Sequence, residues 1–247
     1  MSALVPTVRP RARPLVLARQ PVPIMVGKGS LVPMLMLAAL FAVYSSGTRP
    51  GILLGAAILG GIGGAVSLIV HELGHVRAAQ RLEGVKAVRI SLIWMGAGTH
   101  FEGAYRNGSD QARVAIAGPA ASLAFAVVLV VSALLPMPHP LGLGLFGLSI
   151  LNVAIALVSL LPVHPLDGHK LLVGLLWLLV GSELRARAVL RRFGKAWLAV
   201  EAAGCAALIV AKPLLGSCAL AVCASVYLQK RLSARSSQPR KQSAVFS

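Results

Sequence analysis

The sequence predicts an all-α polytopic membrane protein with about six transmembrane helices, a short cytoplasmic-side β-hairpin or sheet, and one broken helix. Of its 247 residues, 57% are hydrophobic and 13% are charged, about half the charged fraction of an average soluble domain. The mean hydropathy is +0.80, and several apolar runs approach the roughly 20 residues that a helix needs to cross a bilayer. We therefore expect one membrane domain at residues 31–228, flanked by basic cytoplasmic tails at residues 1–30 and 229–247.

The predicted spans follow from the apolar runs and from the breaks between them. The second apolar run is rich in glycine, which favours a helix that packs closely at the centre of the bundle. The alternative is that the glycines make this helix flexible. Prolines interrupt the fourth run and make it the broken helix. In chain order the expected spans are 31–46, 52–75, 112–135, a fourth that starts near Leu143, breaks at 162–168 and resumes at 170–181, then 196–211 and 214–228.

A stretch between the second and third spans predicts β-structure. Val85–Trp94 contains a run of β-branched residues with partial polar alternation, and Gly96 and Gly98 precede a second short polar run. This pattern is typical of a hairpin or small curved sheet.

The basic residues are grouped at alternating connections between the apolar runs, which accounts for the formal charge of +17. This grouping follows the positive-inside rule, so we expect a multi-pass protein of the lipid bilayer with both termini in the cytoplasm. No nucleic-acid motif accompanies the charge, and we expect no nucleic-acid partner. The small size favours a bacterial cell membrane over an organelle.

The segment His71-Glu72-Leu73-Gly74-His75 lies at the end of the second apolar run. On a helix, residues four apart share a face, so both imidazoles can reach one metal ion. Glu72 between them is placed to take a proton from water. The alternative is a helix end whose polar side chains are merely solvated by lipid headgroups, but it does not explain the spacing of the histidines.

A catalytic zinc site needs a third protein ligand, and the chain offers seven acidic residues. Asp167 is the best placed, because Pro162 and Pro165 break the helix before it and Gly168 follows it. Broken helices supply polar sites in membrane proteins, since their freed backbone groups line cavities. Two alternatives remain at this stage: Asp167 caps the next helix segment, or Glu201 in the fifth span is the third ligand.

Three segments together resemble the signatures of the site-2 protease family of intramembrane zinc metalloproteases, peptidase family M50. They are His71–His75, Ala117–Pro119 and Pro162–Gly168, in the family's order. The resemblance covers residues 50–185, the expected core of the domain. It implies a zinc-dependent intramembrane endopeptidase that hydrolyses a peptide bond in or near a transmembrane segment of a membrane-anchored protein substrate of the single-span type.

The resemblance also assigns roles to individual residues. The implied ligands of one zinc ion (Zn²⁺) per chain are His71, His75 and Asp167. Glu72 is the implied catalytic general base. The strand-like stretch resembles the family's glycine-containing sheet, so Gly96 and Gly98 are expected to contact a substrate that is held as an extended strand.

The chain departs from the family pattern at three positions. Ser159 and Ser122 stand where the family usually has asparagine, and His169 stands where it usually has glycine. Candidates for oxyanion stabilisation or for contacts behind the metal ligands are therefore Ser159, Asn152 and His169. These departures motivate an alternative function, a non-proteolytic scaffold that binds membrane partners, and the intact Glu72 argues against it.

Overall fold

The computed structural model describes residues 15–18, 22–27, 35, 38–39, 50–93, 96–162 and 164–192. The helices within these ranges are α1 (Pro50–Ala79), α2 (Gly108–Ala133), α3 (His139–Ser159) and α4 (Asp167–Val180), and residues 183–192 are also helical. The strands are β1 (Leu15–Ala18), β2 (Ile24–Val26), β3 (Val85–Ile93) and β4 (Gly96–Gly103).

Three of these helices are long and apolar enough to cross a membrane: Leu54–Ala79 within α1, and the whole of α2 and α3. By length and composition they agree with the second and third predicted spans and with the part of the fourth that precedes its break. Almost all of the predicted span 31–46, and both 196–211 and 214–228, lie outside the described residues, so the number six stays a prediction.

The spanning helices leave apolar side chains exposed along one face. On α1 the exposed residues recur every four positions, at Leu54, Ile58, Ile62 and Val66. This spacing keeps them on one face of the helix. Contiguous exposed apolar surface of this kind is unfavourable in water, and a lipid environment removes the cost.

The predicted hairpin is present, and it belongs to a larger sheet. Strands β3 and β4 pair antiparallel from Val85↔Gly103 to Ile93↔Gly96. Strand β2 adds to β3 in parallel, and β1 pairs antiparallel with β2, so the sheet order is β1-β2-β3-β4.

The sequence predicts a basic tail at residues 1–30, whereas Leu15–Ala18 and Ile24–Val26 within this range are strands of the sheet. The reason is non-local. Val22 and Ile24 are buried in a core cluster with Val76 of α1 and with Ile90 and Leu92 of β3. The burial of two β-branched side chains offsets the entropy cost of ordering a short strand.

Two compact units divide the chain: residues 1–104 with 117–156, and residues 105–116 with 157–247. In the first unit, a Cβ on Gly63 of α1 would come within 2.6 Å of Leu148 of α3, so this glycine permits close helix packing. Among the described residues, none lies within 4 Å of a Cβ on Gly55. The close-packing interpretation of the glycine-rich helix is supported at Gly63 and stays a prediction at Gly55.

The second unit joins the start of α2 to α4. A Cβ on Gly174 would come within 2.9 Å of the backbone nitrogen of Ala112, so the two helices meet without an intervening side chain. Gln111 Nε2 donates a hydrogen bond of 3.1 Å to the carbonyl oxygen of Lys170. These contacts position the first turn of α4, which begins at Asp167 and not at Lys170 as predicted.

Candidate metal centre

Helix α1 carries His71, Glu72 and His75, and all three side chains are at most 7% exposed. The Nε2 atoms of the two histidines lie 3.3 Å apart. Two nitrogen ligands that bind a tetrahedral zinc ion at 2.0–2.1 Å are themselves about 3.3–3.4 Å apart. The two imidazoles therefore already have the separation that a shared metal ion requires.

Ser122 of α2 fixes the ring of His71. Its Oγ lies 2.9 Å from His71 Nδ1, and the serine is fully buried. When Nδ1 carries the proton and donates to Ser122, the lone pair of Nε2 is available to a metal. Such hydrogen bonds behind the ligands select the tautomer and orient the ring.

Gly118 leaves the space in front of the histidines open. A Cβ at this position would lie 2.8 Å from His71 Nε2 and closer still to His75 Nε2. Gly74 permits the same close approach from α1, because its Cβ would lie 2.7 Å from the Cβ of Ala121. A side chain at residue 118 would fill the position that a metal needs, so the residues present fit a metal ion.

Asp167, the third expected ligand, is the first residue of α4 and is buried. His71, His75 and Asp167 each offer an atom that can bind a metal ion. Two imidazole nitrogens and one carboxylate oxygen form a ligand set typical of catalytic zinc, which leaves a fourth position open.

The immediate surroundings of Asp167 bear on one of the two alternatives, that its side chain caps the next helix segment. The N-cap of α4 is Leu166, without a side-chain capping hydrogen bond, and Asp167 is the first helical residue. Lys170 Nζ donates a hydrogen bond of 2.8 Å to Asp167 Oδ1. The carboxylate is thus held by a cation and does not serve as an N-cap. Glu201, the other candidate ligand, lies outside the described residues.

Thr99 of β4 contacts Glu72. Its Oγ1 donates a hydrogen bond of 2.7 Å to Glu72 Oε2 and lies 3.4 Å from the carbonyl oxygen of the same residue. Nothing in the sequence indicates this contact, since the two residues are 27 positions apart on different elements. Only the packing of the sheet against α1 brings them together.

Two titratable groups near the centre are shifted toward their neutral forms. Burial, and secondarily the charge of Arg89, lower the pKa of His100 on β4, while Glu72 acts in the opposite direction. Burial raises the pKa of Tyr105 to about 12, with smaller contributions from the charges of Asp167 and Glu183. The Tyr105 phenol is therefore neutral at physiological pH.

The remaining predicted site residues lie in several places. Ser159 is buried at the end of α3. Asn152 Nδ2 donates hydrogen bonds to Ser67 Oγ at 2.8 Å and to the carbonyl oxygen of Leu148 at 2.9 Å. His169 packs edge-on against His164, with ring centroids 5.4 Å apart. Their roles in the chemistry stay predictions.

Gly96 and Gly98 lie on β4, the last strand in the sheet order. Gly96 has a φ of +128°, a conformation that favours glycine. A Cβ at either position would meet nothing within 4 Å among the described residues. Gly96 is itself buried, and Gly98 is partly buried.

A pair of buried histidines with a glutamate between them, on a helix long enough to cross a membrane, defines a class: membrane-embedded metalloproteins of the HExxH type. Comparison with known proteins finds similarity to one family. The model of peptidase family M50 matches residues 62–141, which include the histidine pair and Ser122. The chain is similar to peptidase family M50 over this segment, which is about a third of its length.

Named relatives agree with this family. A Synechocystis protein assigned as a zinc metalloprotease is 34% identical over 138 residues, which cover 54% of this chain and 36% of that protein. Rip3 of Mycobacterium tuberculosis, also assigned as a zinc metalloprotease, is 34% identical over 143 residues, 55% of this chain and 36% of its own length. The match thus spans about a third of these relatives.

A solved structure shares the fold. The site-2 protease from Methanocaldococcus jannaschii superposes with a TM-score of 0.57 and 21% sequence identity, covering 85% of this chain and 92% of that chain. The predicted fold class is confirmed at this level, as a mostly helical membrane protein with a small sheet.

Proposed function

We propose that this chain is a zinc-dependent intramembrane endopeptidase. It hydrolyses a peptide bond in or near a transmembrane segment of a membrane-anchored, single-span protein substrate. One observation carries the proposal: a buried glutamate lies between two buried histidines whose Nε2 atoms are 3.3 Å apart on a membrane-spanning helix. A buried carboxylate beside a metal-binding pair has a clear use as a general base.

The chain's own residues supply binding and proton transfer. His71, His75 and Asp167 would hold zinc, which when bound polarises a carbonyl group and makes water more acidic. Glu72 takes a proton from the attacking water and returns it to the leaving amine. Ser122 keeps the His71 ring in the metal-binding orientation.

Strand β4 is the proposed docking edge for substrate. A peptide bond within a helix is shielded by helical hydrogen bonds, so the substrate needs an extended conformation before cleavage. Addition of the extended segment to β4 supplies backbone hydrogen bonds. Gly96 and Gly98 are the proposed contacts on this strand, and a Cβ at Gly98, which is only partly buried, would meet no described residue within 4 Å.

We also propose a bacterial cell membrane as the location, with both termini in the cytoplasm. The competing function is the non-proteolytic scaffold that the serines at 122 and 159 had suggested. The hydrogen bond of Ser122 to His71 weakens that argument, because the serine has a use at the metal centre.

The first test compares purified wild type with Asp167→Ala and Glu72→Gln in detergent. Zinc content and cleavage of a model transmembrane peptide are measured on all three. Wild type is expected to hold about one zinc per chain and to cleave the peptide. Asp167→Ala is expected to lose most of the zinc, because two imidazoles alone bind it weakly.

Glu72→Gln separates zinc binding from proton transfer. It is expected to keep the zinc and to lose cleavage by a factor of at least about 100, since general-base catalysis contributes roughly 10²–10⁴-fold. Full cleavage by Glu72→Gln would contradict the assigned base. A wild type that cannot hold zinc after the metal is added back would favour the scaffold.

A further inference from the structure

We infer that Thr99 is a positioning residue for Glu72: its hydroxyl holds one carboxylate oxygen of the general base in place for proton transfer. The inference rests on the proposed function and adds a residue to it. The contact is Thr99 Oγ1 to Glu72 Oε2, at 2.7 Å.

The Thr99 hydroxyl has one proton to donate, and two oxygen atoms of Glu72 are near it. The carbonyl oxygen of Glu72 is 3.4 Å away, beyond the usual 2.5–3.0 Å range of O–H···O hydrogen bonds. The carboxylate oxygen at 2.7 Å lies in the range of bonds to a charged acceptor. Thr99 therefore donates to the carboxylate.

This hydrogen bond gives the two carboxylate oxygens of Glu72 different roles. Oε2 is occupied by the threonine, and Oε1 is the oxygen left for the proton that leaves the attacking water. A carboxylate with one oxygen fixed by a hydrogen bond rotates less freely about its terminal torsion angle. Small misplacements of catalytic groups lower the rate of the reaction considerably. The expected effect is therefore on turnover and not on substrate binding.

The sheet makes Thr99 a rigid support. It pairs directly with Ile90 of β3, and Ile90 is fully buried in the cluster that also contains Val76 of α1. Val76 follows Glu72 by one helical turn on the same helix. The same core thus fixes both ends of the hydrogen bond, the strand that donates and the helix that accepts.

The test uses Thr99→Val, which keeps the shape and β-branching of the side chain and removes the hydroxyl, and Thr99→Ser, which restores the hydroxyl. Ser91→Ala on the neighbouring strand is the control for loss of a hydroxyl elsewhere in the sheet. Thr99→Val is expected to lower kcat by about tenfold or more, with KM within about twofold of wild type and zinc content unchanged. Thr99→Ser is expected to recover most of the kcat, and Ser91→Ala to match wild type.

A second readout does not depend on activity. The chain has five glutamates, so labelling with ¹³Cδ-glutamate gives few carboxyl signals, and Glu72→Gln assigns the relevant one. The Glu72 signal is expected to shift in Thr99→Val and to return toward its wild-type position in Thr99→Ser.

The possible results separate this inference from the proposed function. An unshifted carboxyl signal in Thr99→Val would overturn the inference, and so would an equal loss of kcat in Thr99→Val and Thr99→Ser, which would assign the effect to packing. A zinc-loaded wild type without cleavage, together with the expected carboxyl shift, would count against the proteolytic function and leave the hydrogen bond to Glu72 established.

Discussion

Ser122 differs from the asparagine that the family usually has at this position, and the structure gives the serine a specific contact. It lies 2.9 Å from His71 Nδ1 in a fully buried setting. From the sequence alone, the exchange was a departure that placed function in doubt. The contact could not be predicted, because His71 and Ser122 are 51 residues apart and only the close approach of α1 and α2 at Gly74 and Gly118 brings them together.

At the residue scale we predict that Ser122→Ala weakens zinc binding by about tenfold or more. Loss of a hydrogen bond behind a metal-binding histidine typically costs 10–100-fold in affinity or activity. Competition with a chromogenic chelator measures the zinc affinity. Ser132→Ala is the matched control. Ser132 is on the same helix, and its hydroxyl donates a hydrogen bond to the carbonyl oxygen of Val128, one turn earlier in that helix. Equal affinity in Ser122→Ala and Ser132→Ala would show that Ser122 does not orient His71.

At the element scale, a helix or strand could be predicted from the sequence when the residues that stabilise it lie next to one another in the chain. Helices α1, α2 and α3 were predicted because each carries its own apolar run. Strands β3 and β4 were predicted because β-branched residues and glycines lie next to one another in sequence. Strand β2 has three residues, and its stability comes from Val76, Ile90 and Leu92, which lie far from it in the chain.

We predict that Ile24→Ala lowers the free energy of unfolding by about 2–3 kcal/mol, as expected when a buried isoleucine is truncated. The variant should also release part of β3. The amide of Ile90 donates to the carbonyl oxygen of Pro23, and the amide of Gly27 donates to that of Leu92. Thermal unfolding in detergent tests the first expectation, and hydrogen exchange of peptides from β3 tests the second.

Met25→Ala is the control for this strand. Met25 is adjacent to Ile24 and is only partly buried, so its truncation should cost clearly less and leave the exchange of β3 near the wild-type level. Unchanged protection of β3 in Ile24→Ala would mean that β2 contributes little to the sheet.

At the scale of the whole molecule, the charge pattern predicts an orientation in the membrane that the helices allow. Helix α2 has 26 residues, which at 1.5 Å per residue is about 39 Å and exceeds the hydrocarbon thickness of about 30 Å. Its two ends therefore reach opposite faces of a bilayer. Arg106 and Arg113 lie near its start, whereas residues 134–138 beyond its end carry no charge. The positive-inside rule therefore predicts that the start of α2 faces the cytoplasm.

This orientation predicts the labelling of single cysteines in intact cells. Cys205, Cys218 and Cys223 are the native cysteines and are first replaced by alanine. Pro136→Cys lies in the exposed loop between α2 and α3 and should react with a membrane-impermeant maleimide added outside. Ala104→Cys is exposed before α2 and should react only after the membrane is permeabilised. Labelling of Ala104→Cys from outside, without labelling of Pro136→Cys, would contradict this orientation and the cytoplasmic side of the proposed site.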